Sequence, residues 1–347
     1  MRCGDFKTSY AADMTIFESG SARIMLGLFL GALFTLPLYT PGYLLDIINR
    51  IGIAVIGAVG LNILTGFTGQ ISLGNAAFMA IGAFSSGYLA TRFGLPFYFC
   101  IPLAGLITAF SGMFVGIPSL RIKGLYLAMA TLAAHFIVEF IITKWESVTG
   151  GVNGLSIPIP KLGSFAIDSD ARLFVLIFVI AVMAVLFAKN LFRSKAGKAF
   201  IAIRDQAISA EVMGVNLLKY KLLSFGISSF YVGVAGALIA YQAKIISPET
   251  FPVTVAIDYL GMIIIGGLGS ILGSIYGAIF ITLLPELLRM GTSALSGSFP
   301  ELVNKLAAMK ELVFGLLVII FLIFEPAGMA ARWHSIKNYW KLYPFSH

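Results

Sequence analysis

Charge is scarce in this chain. Only 12% of its 347 residues are Asp, Glu, Lys or Arg, where a soluble domain carries about 25%. With 59% hydrophobic residues and a mean hydropathy of +0.94, it has too little polar surface to fold alone in water. A polytopic, all-α membrane protein is the class left standing. Cysteine is nearly absent as well. Cys3 falls in the N-terminal tail and Cys100 in an apolar span, which makes neither a metal spacing nor an expected disulfide. The three histidines, His135, His334 and His347, are too scattered to share a metal. There is no GxxxxGK[ST], so ATP hydrolysis by that route is excluded, and no HExxH or G-x-S-x-G to support hydrolytic chemistry. The net charge of +8 sits at the edges of apolar spans rather than in a basic, aromatic-laced stripe. That pattern argues against nucleic acid and for positive-inside topology.

What the chain has in abundance is long apolar runs. Ten spans are expected, at 24–41, 47–65, 74–92, 97–117, 124–143, 172–189, 219–241, 257–267, 272–289 and 311–325. The eighth is too short to cross as a simple helix. Charges at Arg2, Asp5, Lys7, Asp13, Glu18 and Arg23 argue against a cleaved signal peptide, so the first span is expected to stay. Ten spans put both termini on one side. Taking that side as cytoplasmic leaves 15 of the 24 Lys and Arg inside and 9 outside, as the positive-inside rule requires. The expected organisation is a cytoplasmic tail over 1–23, a transmembrane domain over 24–330 with a cytoplasmic loop at 190–218, and a cytoplasmic tail over 331–347. The segment Glu146–Asp170, rich in Gly, Pro and Ser, is an outside loop.

Two stretches break their spans with glycine. One runs Gly66-Phe67-Thr68-Gly69-Gln70-Ile71-Ser72-Leu73-Gly74-Asn75, the other Gly266-Gly267-Leu268-Gly269-Ser270. Irregular backbone at membrane depth needs protein or a water-filled cavity around it, and one break in each half points to a transport path. Gln70, Ser72, Asn75, Gly266, Gly267 and Gly269 are therefore candidate path residues. Gly269, Gly273 and Gly277 are also spaced as a small-xxx-small ridge for close helix packing. His135 and Glu139 stand four apart on one face of the fifth span. Such a pair either meets a polar substrate or relays protons, or it is a hydrogen-bonded pair at an interface between spans or subunits.

The most polar interruption is Arg193–Asn216. Read as a helix it has Ser194 as N-cap and Gly214 as stop. Phe200, Ile203, Ala207 and Ala210 share one side, with Lys198, Asp205 and Ser209 opposite. Arg204 and Glu211 fall on the apolar side, which suits docking into another protein better than lying in lipid headgroups.

These segments also carry a resemblance. GKAFIAIRDQAISAEVMG at 197–214 resembles the cytoplasmic coupling loop of LivM-type permeases, membrane subunits of branched-chain amino acid ABC importers. LNILTGFTGQISLGNAAFMAIGAF at 61–84, LRIKGLYLAMATLA at 120–133, TGGVNGL at 149–155, ISPETF at 246–251, GGLGSILGSIYGA at 266–278, LPELLR at 284–289 and FEPAGM at 324–329 are similar to family segments in the same order. Asn75 stands where the family often has His. The resemblance covers roughly residues 45–330.

It implies a permease subunit in the bacterial inner membrane, paired with a LivH-like permease and fed by a periplasmic binding protein. Two LivG/LivF-like ATPases would carry the ATP and Mg, while this chain binds no cofactor and catalyses nothing. It also implies that Arg204, Asp205 and Glu211 orient the ATPase while Phe200, Ile203 and Ala207 fill its groove. Cargo would be branched-chain or other hydrophobic amino acids; urea, amides or small carboxylates fit the same architecture. A self-sufficient secondary transporter using His135 and Glu139 is the alternative from another class.

Overall fold

The structure is a computed structural model that describes residues 20–120, 122, 124–162, 165–295 and 306–342. The longer helices, in chain order, are α1 (Gly20–Phe34), α2 (Gly42–Thr68), α3 (Asn75–Arg92), α4 (Phe97–Gly116), α5 (Leu125–Lys144) and α6 (Asp170–Arg193). They continue as α7 (Lys195–Val212), α8 (Leu217–Ala243), α9 (Val253–Gly266), α10 (Ile271–Leu295), α11 (Leu306–Phe324) and α12 (Gly328–Leu342). Four two-residue strands add β1 (Leu155–Ser156), β2 (Lys161–Leu162), β3 (Phe165–Ala166) and β4 (Ile245–Ile246). They pair antiparallel as β1 with β4, Leu155 opposite Ile246, and β2 with β3.

Seven described helical segments are long and apolar enough to cross a membrane. An eighth is added if α11 and α12, bent by 45° at their junction, count as one broken span. The chain is thus an all-α polytopic membrane protein, but two of the ten expected spans fall short. The span expected at 24–41 stops at Phe34 and passes into a 3-10 turn at Leu36–Leu38 around Pro37. The span expected at 74–92 is α3, only 18 residues long and diluted by Ser85, Ser86 and Thr91. The short eighth span is longer than expected. It begins at Val253, and with the turn at Pro248 reaches 19 residues. The C-terminal tail is helical to Leu342, and residues 343–347, like residues 1–19 of the N-terminal tail, lie outside the described residues. So do Cys3, Arg121 and Lys123.

At the centre is α8, packed against α2, α3 and α4. In lipid the hydrophobic effect does not draw helices together, so close van der Waals contact does, and small residues permit it. Side chains are excluded where α3 meets α8: a Cβ on Gly236 would collide with the Met79 carbonyl.

Hydrogen bonds fix the two ends of the bundle. Asn49 Nδ2 donates to the Asp170 carbonyl at 3.1 Å, Gln242 Nε2 to Asp46 Oδ1 at 2.6 Å, and β1 meets β4. The starts of α2 and α6, the end of α8 and the 145–169 segment therefore gather at one end, hereafter the strand end. The opposite end carries α7.

Candidate functional site

At the α7 end both glycine breaks meet. Asn62, buried in α2, donates to the Ser270 carbonyl at 2.8 Å and to Ser274 Oγ at 2.7 Å. Its Oδ1 accepts the Gly269 N–H at 2.9 Å. One amide thus satisfies two backbone groups of the turn between α9 and α10 and a hydroxyl in the first turn of α10. α2 itself ends at Gly69, in the left-handed region at φ 72°, and the turn uses the same conformation at Gly269, φ 74°. The turn before α12 closes the cluster, with Gly328 packed on Gly267.

Arg204 of α7 reaches into this junction. Its Nη1 donates to the Gly66 carbonyl at 3.0 Å, and its Nε to Asp205 Oδ1 at 3.0 Å. A Cβ on Gly269 would lie 2.8 Å from Arg204 Nη1, and one on Gly69 would lie 3.1 Å from Arg204 Cγ. Both breaks close around one guanidinium, and a side chain at either would push it out. The Arg204 side chain keeps 38% exposure, so the contact sits at the rim of the junction.

Around that anchor α7 departs from its expected form. Ser194 is its N-cap, accepting the Gly197 N–H at 3.4 Å, and Gly214 has φ 86° beyond its end. Yet Gln206, at φ −156° and ψ 97°, interrupts the helix in the middle. Phe200 and Ile203 are buried in the chain's own core, Phe200 edge-on to Tyr220 at 6.3 Å. Their surface packs within the chain itself. Ala210 is buried and Ala207 half-buried. Lys198, Asp205 and Glu211 are exposed. Beyond the break, Ile208, Val212 and Met213 are exposed at 72%, 81% and 85%. They form an apolar patch on the outer side of the segment.

The remaining path candidates turn inward. Gln70 donates to Ser224 Oγ at 2.8 Å, the Gly74 N–H donates to Ser72 Oγ at 3.3 Å, and the Leu73 N–H donates to Thr131 Oγ1 at 2.9 Å. Gln70, Ser72 and Asn75 are all buried, with Gln70 Oε1 and Asn75 Nδ2 lacking a hydrogen-bond partner. Gly273 and Gly277 do press on α9, where Cβ atoms would strike the Gly266 and Met262 carbonyls. Gly269 precedes that helix and acts in the turn instead.

On α5, towards the strand end, His135 is buried to 1% and Glu139 is 44% exposed in its side chain. Their closest approach, His135 Nε2 to Glu139 Oε2, is 3.7 Å, and neither ring nitrogen has a hydrogen-bond partner. They line a cleft with Ala77 and Ala80 of α3 and with Pro248 and Phe251. Among the described residues no group of three or more His, Cys, Asp or Glu could hold a metal ion.

Sequence reasoning missed Asn62, Ser270 and Ser274, although a lone Asn in the apolar run Leu61-Asn62-Ile63-Leu64 was a visible signal. It also missed Ile208, Val212 and Met213, although Ile208 and Val212, four apart, share a helix face away from Phe200 and Ile203.

The chain matches the family described as branched-chain amino acid transport system, permease component, over residues 43–322. It is 31% identical over 330 residues to the high-affinity branched-chain amino acid transport system permease protein LivM of Escherichia coli K12, covering 87% of this chain and 74% of that protein. Salmonella typhimurium LivM is 30% identical over 308 residues, with 82% and 69% covered. The probable LivH of Methanocaldococcus jannaschii is 23% identical over 296 residues, with 82% and 90% covered. No solved structure matches. The ordered motifs, the apolar helices with their two glycine breaks, and these matches across most of the chain have one reading: the chain belongs to the permease component family of branched-chain amino acid transport systems.

Proposed function

We propose that this chain is one half of the translocation path of an ATP-driven importer for branched-chain or related hydrophobic amino acids. It pairs with a LivH-like permease, receives cargo from a periplasmic binding protein, and is driven by two cytoplasmic ATPases that hold the ATP and Mg. The chain itself binds no cofactor. The α7 end and both termini face the cytoplasm; the strand end faces outward.

The observation that carries this reading is the double attachment of α7. Its first half is built into the core through Phe200 and Ile203, and Arg204 hydrogen-bonds the Gly66 carbonyl where the two glycine breaks meet. Its second half presents Ile208, Val212 and Met213 outward. An ATPase seated on that apolar patch pulls on the segment beyond Gln206. Arg204 carries the displacement to the junction of α2, α9 and α10, and packed helices move as rigid bodies. Asp205, Glu211 and Lys198 sit beside the patch and set the docking orientation.

The test is co-purification from the native membrane. Val212→Asp with Met213→Asp places charge on exposed positions, so the permease should fold and keep its permease partner while the ATPases fall away, a loss of about 2 kcal/mol or more at an interface centre. ATPases retained at wild-type stoichiometry would overturn the docking assignment.

A second cargo class on the same architecture has one observation in its favour. The autoinducer 2 import system permease protein LsrC of Enterobacter is 26% identical over 213 residues, covering 59% of this chain and 58% of that protein. Family membership therefore supports the machine more strongly than its cargo.

A further inference from the structure

The cleft between α3, α5 and the Pro248–Phe251 turn contains polar groups that the fold does not use. Glu139 lies five residues inside Lys144, about 7.5 Å along the helix, on a face flanked by exposed Phe136 and Phe140. A carboxylate left half-exposed among acyl chains is costly, and such residues ordinarily face a bundle interior or a water-filled path. On its own element His135 stands at 3.7 Å, beyond hydrogen-bond distance and a charge partner only when protonated, and Lys144 is more than a turn away. His135 is the second, independent sign. It is 1% exposed, and neither ring nitrogen has a partner. Buried polar atoms are nearly always paired, and each one left alone calls for an explanation. Both groups line the same cleft, whose other walls, Ala77, Ala80 and Phe251, are apolar.

We propose that this cleft, about 10 Å³ in volume, is an ammonium-binding station of the translocation path, with Glu139 as the charged acceptor and the neutral His135 ring as a second acceptor; it has room for the ammonium head alone, and the cargo's side chain stays outside it. An ammonium offers three donors, and a carboxylate beside an imidazole lone pair supplies acceptors for them. The station lies towards the strand end, beneath Pro248 and Phe251, where cargo arriving from outside is met first. It selects against anionic cargo, because a bare carboxylate repels a small carboxylate that carries no cation. The proposal rests on the importer reading and adds to it the part of the cargo that this chain holds.

The probe is leucine uptake by the complete complex, both permeases and both ATPases, in liposomes with its binding protein. Glu139→Gln keeps shape and removes charge. It should cut uptake about tenfold or more, the equivalent of one charge-assisted hydrogen bond, with subunit composition unchanged. Glu139→Asp should recover most of the rate with a raised KM. Wild-type uptake in the Gln variant overturns the station, and so does an Asp variant as impaired as Gln, which would mean shape matters rather than charge. A Gln complex that falls apart assigns the pair to structure and overturns it equally. If the wild-type complex shows no ATP-driven leucine uptake, the cargo reading fails first, a result distinct from any of these.

Discussion

The two ends of this permease treat buried polar groups in opposite ways. At the α7 end Asn62 satisfies a backbone N–H, a backbone carbonyl and a hydroxyl at 2.7–2.9 Å, and Arg204 adds a bond to the Gly66 carbonyl at 3.0 Å. Towards the strand end, His135 has both nitrogens unpaired and Glu139 is half-exposed at membrane depth. A satisfied network in a low-dielectric interior rigidifies what it joins, whereas an unsatisfied one is costly. The first arrangement suits a joint that must carry force between broken spans. The second suits a surface whose missing partner arrives with the cargo.

Breaking the satisfied end should have the largest effect on folding. Asn62→Leu fills similar space but leaves the Gly269 N–H without its acceptor and takes one bond from the Ser270 carbonyl, which keeps the Ser274 N–H at 3.0 Å. Each buried group left unpaired costs about 1–3 kcal/mol, so thermal stability of the purified complex should fall clearly and transport with it. An Asn62→Leu complex that melts with wild type would remove the basis for treating the junction as a rigid joint. A smaller effect is expected one bond outward. Arg204→Lys keeps a charge but loses the planar fork that reaches the Gly66 carbonyl and Asp205 together, and the site is partly exposed. Its cost in stability should be about 1 kcal/mol. Its signature should be in coupling, with more ATP hydrolysed per leucine imported while the ATPases stay bound. An unchanged ratio would limit Arg204 to a local structural role.

Much of the α7 end was legible in the sequence because glycine, caps and charge leave local signs. The two glycine breaks, the Ser194 cap and the Gly214 stop each follow from a single residue's backbone preference. What was not legible was convergence. Nothing in the spacing of Gly66, Gly269 and Arg204 reveals that three segments far apart in sequence close around one guanidinium. The break at Gln206 was hidden for a related reason. Gln is an ordinary helix residue, so its residue type gives no sign of the interruption. His135 and Glu139 were found by spacing alone, but the sequence could not separate a paired interface couple from an unpaired one. That distinction needed the geometry. The span count parts from the structure at α1, where the helix stops while apolar composition continues, and at α3, whose helix forms but is short and diluted by Ser85, Ser86 and Thr91.

The comparison is sharpest where stability and function should part. At Asn62 the two are expected to fall together, because the side chain serves the fold. At Glu139 they should diverge. A carboxylate held at membrane depth without a hydrogen-bonded partner is a cost that the folded complex carries for its cargo, in line with the stability sacrificed at binding sites elsewhere. Glu139→Gln removes that charge and leaves the size of the side chain intact, so the melting temperature of the cargo-free complex should hold or rise slightly, by the equivalent of about 0.5 kcal/mol. Leucine added to the wild-type complex should raise the melting temperature, through binding to the folded state, and this rise should be lost in the variant. A Glu139→Gln complex that melts as early as Asn62→Leu would place both ends in the same class, polar groups that hold helices together, and the contrast between joint and station would disappear.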